Sequence, residues 1–144
     1  MSDGYSKIED ALQALREGRI IIVVDDDPAV RNSLKFSLEI EGFLVRLYAS
    51  GAELLGERDI PRCNCLVVDQ RMPGIAGLDL ICKLREQSIS APAILITSHP
   101  TAELARRAAG ANVPIVEKPL LGNALMERIR DACAQTGSSS NAQS

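Results

Sequence analysis

Apolar residues alternate along the chain between short continuous runs and stretches with helical spacing. Continuous, mostly β-branched runs predict strands buried on both faces, and apolar residues three or four apart predict helices that pack on one side. The predicted strands are 20–24, 43–48, 65–68, 93–97 and 113–116. Helices are predicted after them, at about 28–42, 50–58, 77–86, 101–109 and 121–132.

A further helix is predicted before the first strand. Ser6 and Glu9 have the spacing of a capping box, and Gly18 supplies a stop. The apolar residues between them lie at helical spacing: Ile8, Ala11, Leu12 and Leu15. Such a stripe needs a covering surface, which is either the domain itself or a second copy in a homodimer.

Regular alternation of strands and helices predicts an α/β domain with a doubly wound parallel sheet, covered by helices on both faces. Asp27 before Pro28 is expected to be an N-cap and not a metal ligand, and Ser50 with Glu53 forms a second capping box. We assign 1–18 to a helical extension, 19–134 to the domain and 135–144 to a disordered polar tail.

Composition narrows the class of protein. The 144 residues favour one domain, and the net charge of −3 offers no basic surface for nucleic acid. No apolar run could cross a membrane and no signal-peptide stretch is visible, so a cytoplasmic location is expected. The four cysteines are expected to be free thiols, with Cys65 and Cys82 in the core. A zinc site is not expected, because the only histidine is His99.

Polar residues cluster after the predicted strands. In open α/β sheets, ligands bind beyond the carboxyl ends of the strands. The residues there are Asp25, Asp26 and Asp27 after the first strand, Asp69 after the third, Thr97 and Ser98 at the fourth, and Lys118 and Pro119 after the fifth. Neighbouring carboxylates repel and need a cation, and Mg²⁺ prefers oxygen ligands. A carboxylate beside Mg²⁺, an ammonium and a hydroxyl is well placed to attack phosphorus.

Four motifs in this order resemble a known family. They are VVDDDP at 23–28, VVDQRMPGIAGL at 67–78, ITS at 96–98 and EKP at 117–119. From about Arg19 to Cys133 the chain resembles the receiver domain of bacterial two-component response regulators. The pattern D-x-R-M-P-G-x-x-G-L is similar to that of receivers from regulators of nitrogen fixation.

The resemblance implies a flavodoxin-like fold with strand order 2-1-3-4-5 and a set of residue roles. The resemblance implies that Asp69 is the phosphoacceptor and that Asp25, Asp26 and the backbone carbonyl of Arg71 are Mg²⁺ ligands. It also implies that Thr97 and Lys118 contact the phosphoryl group and that the peptide bond before Pro119 is cis. It also implies that the residue at position 71 influences how long the phosphoryl group lasts. The phosphodonor would be a histidine kinase or a histidine phosphotransfer protein, and output would go to an unknown downstream protein by contact, without nucleic acid or membrane.

One position departs from the family pattern. Receivers usually carry Tyr or Phe three residues before the lysine, and this chain has Ile115 there. No aromatic residue follows Tyr48, so the usual coupling between the threonine and a ring is absent or altered. A phosphate sink, a degenerate receiver that acts only as an interaction module, and the front part of a longer regulator therefore stay open as alternatives.

Other functional classes fit the sequence less well. Haloacid-dehalogenase-like phosphatases also use an aspartate nucleophile with Mg²⁺, but they need D-x-D, and Arg71 occupies the second acid's position. A nucleotide- or flavin-binding module lacks its G-x-G-x-x-G after the first strand. The chain is therefore expected to be no enzyme, and to carry out only its own phosphorylation and dephosphorylation.

Overall fold

Strands and helices alternate through the part of the chain that the structure, a computed structural model, describes: residues 3–120 and 122–136. The strands are β1 (Ile20–Val24), β2 (Leu44–Tyr48), β3 (Cys65–Asp69), β4 (Ala93–Thr97) and β5 (Ile115–Glu117). The helices are α1 (Asp3–Arg16), α2 (Pro28–Ile40), α3 (Gly51–Leu55), α4 (Gly77–Glu86), α5 (Ala102–Gly110) and α6 (Ala124–Thr136). No helix in the described ranges is long and apolar enough to cross a membrane.

The strands form one parallel sheet in the order β2-β1-β3-β4-β5, which confirms the predicted fold and the extra N-terminal helix. Side chains of β1 alternate between two cores, as its continuous apolar run requires. Ile21 and Val23 pack with α2 and α6, whereas Ile22 and Val24 pack with α3, α4 and α5. This order makes β1 and β3 neighbours, so their carboxyl ends lie side by side.

Two of the predicted helix starts are confirmed in detail. Asp27 accepts a hydrogen bond from the Ala29 N–H at 2.9 Å and caps α2. Ser50 accepts one from the Glu53 N–H at 3.1 Å and caps α3. The Glu53 carboxylate accepts a bond from the N–H of Ala49 at 2.7 Å, one residue before the cap. These contacts satisfy backbone donors that a helix start otherwise leaves open.

Several predicted element boundaries are wrong. Helix α6 runs over Ala124–Thr136 and not over 121–132. The backbone of α1 is already helical at Asp3, so the helix starts before the predicted capping position at Ser6. Helix α3 ends at Leu55 and not at residue 58, with Gly56 as its C-cap. Strand β5 starts two residues later than predicted, because the Val113 N–H bonds to the Ala108 carbonyl at the end of α5 and Pro114 has no N–H.

The cysteine prediction is half right. All four thiols are free, and Cys65 is buried under α6. Cys82 is exposed on α4, because the buried face of that helix is formed by its neighbours Leu80, Ile81 and Leu84. The disordered tail was predicted to start too early, because residues 135 and 136 belong to helix α6. From position 137 onward the tail lies outside the described residues, as does Leu121.

Helix α1 is joined to the domain by Asn64, at the edge formed by the amino ends of the strands. The Asn64 side chain accepts from the Ile20 N–H at 2.9 Å and donates to the Leu15 carbonyl and the Thr136 hydroxyl, both at 3.0 Å. One buried amide therefore links α1, β1 and α6. The outer apolar residues of α1 remain uncovered, with Ile8 60% and Leu12 46% exposed.

Candidate functional site

Three carboxylates meet where β1 and β3 end. Asp25, Asp26 and Asp69 each place one carboxylate oxygen within 4.8 Å of the other two. Asp25 and Asp69 are only 1% and 4% exposed, whereas Asp26 faces solvent. The sheet order causes this meeting, because β1 and β3 are paired neighbours and an acid lies at or just after the end of each.

Asp25 is fixed through both its backbone and its side chain. Its N–H donates to the Tyr48 carbonyl at 3.1 Å, and its Oδ1 accepts from the Asp27 N–H at 2.9 Å. Its own carbonyl accepts a 2.7 Å bond from Nη1 of Arg31, a residue that the sequence patterns did not single out. These three hydrogen bonds hold both the backbone and the carboxylate of Asp25 in place.

Lys118 reaches this group of acids from the end of β5. Its Nζ lies 3.1 Å from Oδ1 of Asp69 and 3.4 Å from Oδ2 of Asp25. Its backbone N–H donates to the Thr97 carbonyl at 2.9 Å, which ties it to the end of β4. The peptide bond from Lys118 to Pro119 is cis.

The charges at the site are unbalanced. Burial, followed by the charge of Asp25, raises the pKa of Asp69 above its usual range, and the hydrogen bond from Lys118 offsets this only in part. Burial alone would lower the pKa of Lys118, but the hydrogen bond and charge of Asp69, together with Asp25, raise it. One ammonium therefore faces three carboxylates, an arrangement that favours binding of a cation.

The donor set fits Mg²⁺. Magnesium takes oxygen ligands at about 2.1 Å in octahedral geometry, so neighbouring ligands lie about 3 Å apart and opposite ligands about 4 Å apart. The three carboxylate oxygens, all within 4.8 Å of one another, need only a small movement to reach these distances. The exposure of Asp26 leaves one side open for the water molecules that Mg²⁺ usually keeps.

Gln70 connects the two ends of the loop that contains Arg71 by hydrogen bonds. The Gly77 N–H donates to the Gln70 carbonyl at 3.0 Å, and the Leu78 N–H donates to the Gln70 side chain at 2.8 Å. Ala76 occupies the N-cap position of α4 without any capping side chain, so Gln70 supplies that cap from the end of β3. An alanine at an N-cap is a sequence signal that could have prompted a search for such a residue.

The two glycines of this loop have different roles. Gly74 adopts φ +83°, a conformation that favours glycine. Gly77, in contrast, has no positive φ. It is needed because a β-carbon there would collide with the main chain of Asp69 and lie 2.9 Å from Cα of Gln70.

The remaining predicted residues lie at or near the same edge. Thr97 is buried at the end of β4, and its hydroxyl accepts from the His99 N–H at 3.2 Å. Together with Arg71, whose side chain is exposed, it lines a cavity of about 370 Å³. Ile115 is half-buried at the other end of β5 and packs against the core on the α3–α5 side, so it does not reach this cavity.

The strand order, the cluster of three acids beside Lys118 and the cis bond before Pro119 agree with the sequence resemblance, whereas the phosphoryl and Mg²⁺ roles stay predictions. Comparison with known proteins identifies the family. A family model described as "Response regulator receiver domain" matches residues 21–130. Transcriptional regulatory protein FixJ of Rhizobium meliloti is 38% identical over 112 residues, which cover 76% of this chain and 54% of FixJ. The C4-dicarboxylate transport transcriptional regulatory protein DctR of Rhodobacter capsulatus is 35% identical over 115 residues, which cover 78% of this chain and 58% of DctR.

A solved structure gives the same result. The crystal structure of FixJ-N matches with a TM-score of 0.70 and 33% identity, over 80% of this chain and 93% of FixJ-N. The chain belongs to the response regulator receiver domain family of two-component systems. It spans only a little over half the length of the two full relatives.

Proposed function

We propose that Asp69 accepts a phosphoryl group and that this chain is a phosphoacceptor receiver of a two-component system. One observation carries the proposal: the buried Asp69 carboxylate lies 3.1 Å from the Lys118 ammonium, in a cluster with Asp25 and Asp26. Phosphoryl transfer depends chiefly on positioning and on neutralising the oxygens of the transferred group. This edge of the sheet supplies both.

Each residue has a defined part in the transfer. An oxygen of Asp69 attacks phosphorus, the bond from phosphorus to the donor breaks, and an aspartyl phosphate forms. Lys118 pairs with a phosphoryl oxygen, and the Thr97 hydroxyl donates to another. Asp25, Asp26 and the Arg71 carbonyl would hold Mg²⁺, which would neutralise charge on the phosphoryl oxygens.

The proposed partners follow from family membership. We propose as donor the phosphohistidine of a histidine kinase or of a histidine phosphotransfer protein, and a cytoplasmic chain would be accessible to it. Output goes to a downstream protein by direct contact. The regulators FixJ and DctR are named as transcriptional regulators and are longer than this chain.

We also propose that the chain is not an enzyme with an external substrate. Arg71 occupies the position where an aspartate-nucleophile phosphatase needs its second acid, and its side chain has no neighbouring carboxylate bonded to it among the described residues. Without a general acid at that point, the leaving group of a phosphate ester would not be protonated. Incubation with a panel of phosphate esters should therefore release no phosphate.

Intact-mass measurement tests the phosphoacceptor proposal. The protein is incubated with a small phosphodonor such as acetyl phosphate, with and without Mg²⁺. The wild type should gain the mass of one phosphoryl group only with Mg²⁺, and Asp69→Asn should gain none. Asp79→Asn is the matched control, because Asp79 lies on the surface of α4 in an ion pair with Arg107 and should leave the reaction unchanged. Phosphorylation of Asp69→Asn at the wild-type level would show that another residue is the acceptor.

A further inference from the structure

Arg31 lies beside the acids without binding any of their carboxylates. Among the described residues its guanidinium forms no ion pair, and its Nη1 donates instead to the main-chain carbonyl of Asp25 at 2.7 Å. The side chain reaches this carbonyl from the first turn of α2 and is half-buried. A cation that bonds to the backbone in the presence of three carboxylates needs an explanation.

The position of that carbonyl supplies the explanation. The carbonyl of Asp25 and the N–H of Asp26 belong to one rigid peptide plane. A hydrogen bond that holds the carbonyl therefore also holds the backbone N–H of Asp26, and so the orientation of Asp26 just after the end of β1. Asp25 has other restraints, through Tyr48 and Asp27, whereas the exposed side chain of Asp26 makes no hydrogen bond of its own in the described structure.

We propose that Arg31 is a positioning residue for the metal site: its bond to the Asp25 carbonyl orients Asp26 toward Mg²⁺. The inference rests on the proposed function, because it concerns the same cation. Groups that hold a metal ligand in place typically contribute about ten- to hundredfold to metal affinity. The lower end of that range is expected here, since Arg31 acts on one ligand through one bond.

Charge alone would have the opposite effect. A guanidinium near a cation site repels the cation, so a charge-only role means that neutralising Arg31 tightens Mg²⁺ binding. The positioning role means that neutralising it weakens binding. The two explanations therefore differ in the sign of one measured quantity.

The experiment is a Mg²⁺ titration of the full chain, followed by amide chemical shifts of residues around Asp25 and checked with Mn²⁺ by electron paramagnetic resonance. Arg31→Met keeps the apolar stem but removes the charge and the donor, and Arg31→Lys restores both. Lys35→Ala is the matched control, because Lys35 is a cation of the same helix whose exposed partner is Glu39 at 2.9 Å. Thermal unfolding without Mg²⁺ checks that each variant is folded.

The expected result is a dissociation constant about tenfold higher for Arg31→Met, largely restored in Arg31→Lys and unchanged in Lys35→Ala. In the metal-free protein, Arg31→Met should also shift the Asp26 amide resonance. If Arg31→Met does not fold, Arg31→Gln carries the test, and it must likewise bind Mg²⁺ more weakly than the wild type.

The failure of each proposal can be distinguished. Equal or tighter Mg²⁺ binding by a folded, neutral Arg31 variant, with the wild type binding normally, would overturn the positioning role alone. A wild type that binds no Mg²⁺ would overturn the proposed function and this inference together.

Discussion

Gly77, the first residue of α4, lies directly against the end of β3, and a side chain there would collide with the main chain of Asp69. A β-carbon on Gly77 would also come 2.9 Å from Cα of Gln70, closer than real β-carbons approach other atoms. The helix can approach the strand so closely because this residue has no side chain. Backbone packing thus sets the position of the proposed phosphoacceptor.

Substitution of Gly77 should therefore disturb both stability and chemistry. Gly77→Ala is expected to lower the free energy of unfolding by about 2 kcal/mol, since the neighbouring atoms are backbone and cannot turn aside. Phosphorylation of Asp69 should slow as well. Denaturant unfolding and intact-mass time courses measure the two effects.

Gly110→Ala is the matched control for this change. Gly110 is the last residue of α5, and a β-carbon there would meet nothing within 4 Å. This variant should gain up to about 0.5 kcal/mol, because alanine favours the helix. Equal stability of the two variants would show that Gly77 is not sterically required.

Asp69→Asn should stabilise the metal-free protein near neutral pH. The pKa of Asp69 is raised in the folded state, so between its ordinary value of 3.8 and the raised value the folded protein binds more protons than the unfolded chain. Unfolding free energy therefore falls as pH rises through this window and stays reduced above it. The variant lacks this penalty and should be more stable than the wild type near pH 7.

Two measurements check this expectation. Urea unfolding from about pH 3.5 upward should show the difference between the variant and the wild type growing with pH. Mg²⁺ should stabilise the wild type more than the variant, since a ligand stabilises in proportion to its affinity for the folded state. A difference that shrinks as pH rises would contradict the raised pKa.

Asn64→Ala should destabilise the domain by about 2 kcal/mol. The change removes the partners of the Ile20 N–H, the Leu15 carbonyl and the Thr136 hydroxyl at a buried site. Asn32→Ala, at an exposed position of α2, should change stability by less than about 0.5 kcal/mol. Thermal unfolding of both variants measures the contrast, and equal melting temperatures would mean that the buried amide contributes nothing.

Because Ile115 replaces the usual aromatic residue, the structural change caused by phosphorylation should spread through the last two strand–helix units without a ring movement. The side chain is aliphatic, packs into the core on the α3–α5 side and does not line the cavity next to Thr97. This position therefore has no aromatic ring that could move with the threonine. Binding of a phosphoryl mimic should shift amide resonances in β4, α5, β5 and α6. A rearrangement confined to β2 and α3 would count against this route.

Arg71→Ala should shorten the lifetime of the phosphorylated form several-fold. The exposed side chain lines the cavity beside Thr97, where it would shield the acyl phosphate from water and lie near its charge. Loss of phosphoryl mass over time, after removal of the donor, measures the rate. Arg106→Ala, an exposed change on α5, serves as control. An unchanged half-life would remove the Arg71 side chain from the mechanism.

Sequence patterns were sufficient for the fold and for the location of the acids. Strand periodicity and the rule for carboxyl ends of parallel strands bring Asp25 and Asp69 together without knowledge of side-chain contacts. The start of β5 was placed wrongly because the N–H of Val113 is used by α5, a contact that local pattern does not encode.

The roles of Arg31 and Gln70 could not be predicted either, because both residues bond to groups several residues away along the chain. Arg31 binds a carbonyl six residues earlier, at a distance fixed by how α2 leaves β1. Gln70 caps a helix that begins seven residues later, after a loop whose path the sequence does not define. Both contacts depend on the path of the backbone between the elements, and residue type alone does not reveal them.

The amide of Asn64 also has a practical consequence. It binds the end of α1 and the end of α6 at the amino-terminal edge of the sheet, the pole opposite the acids. A reporter or effector fused after Thr136 would leave the domain at that pole. Access of a kinase to Asp69 would stay unobstructed, so biosensors built on this chain can carry their fluorophore there.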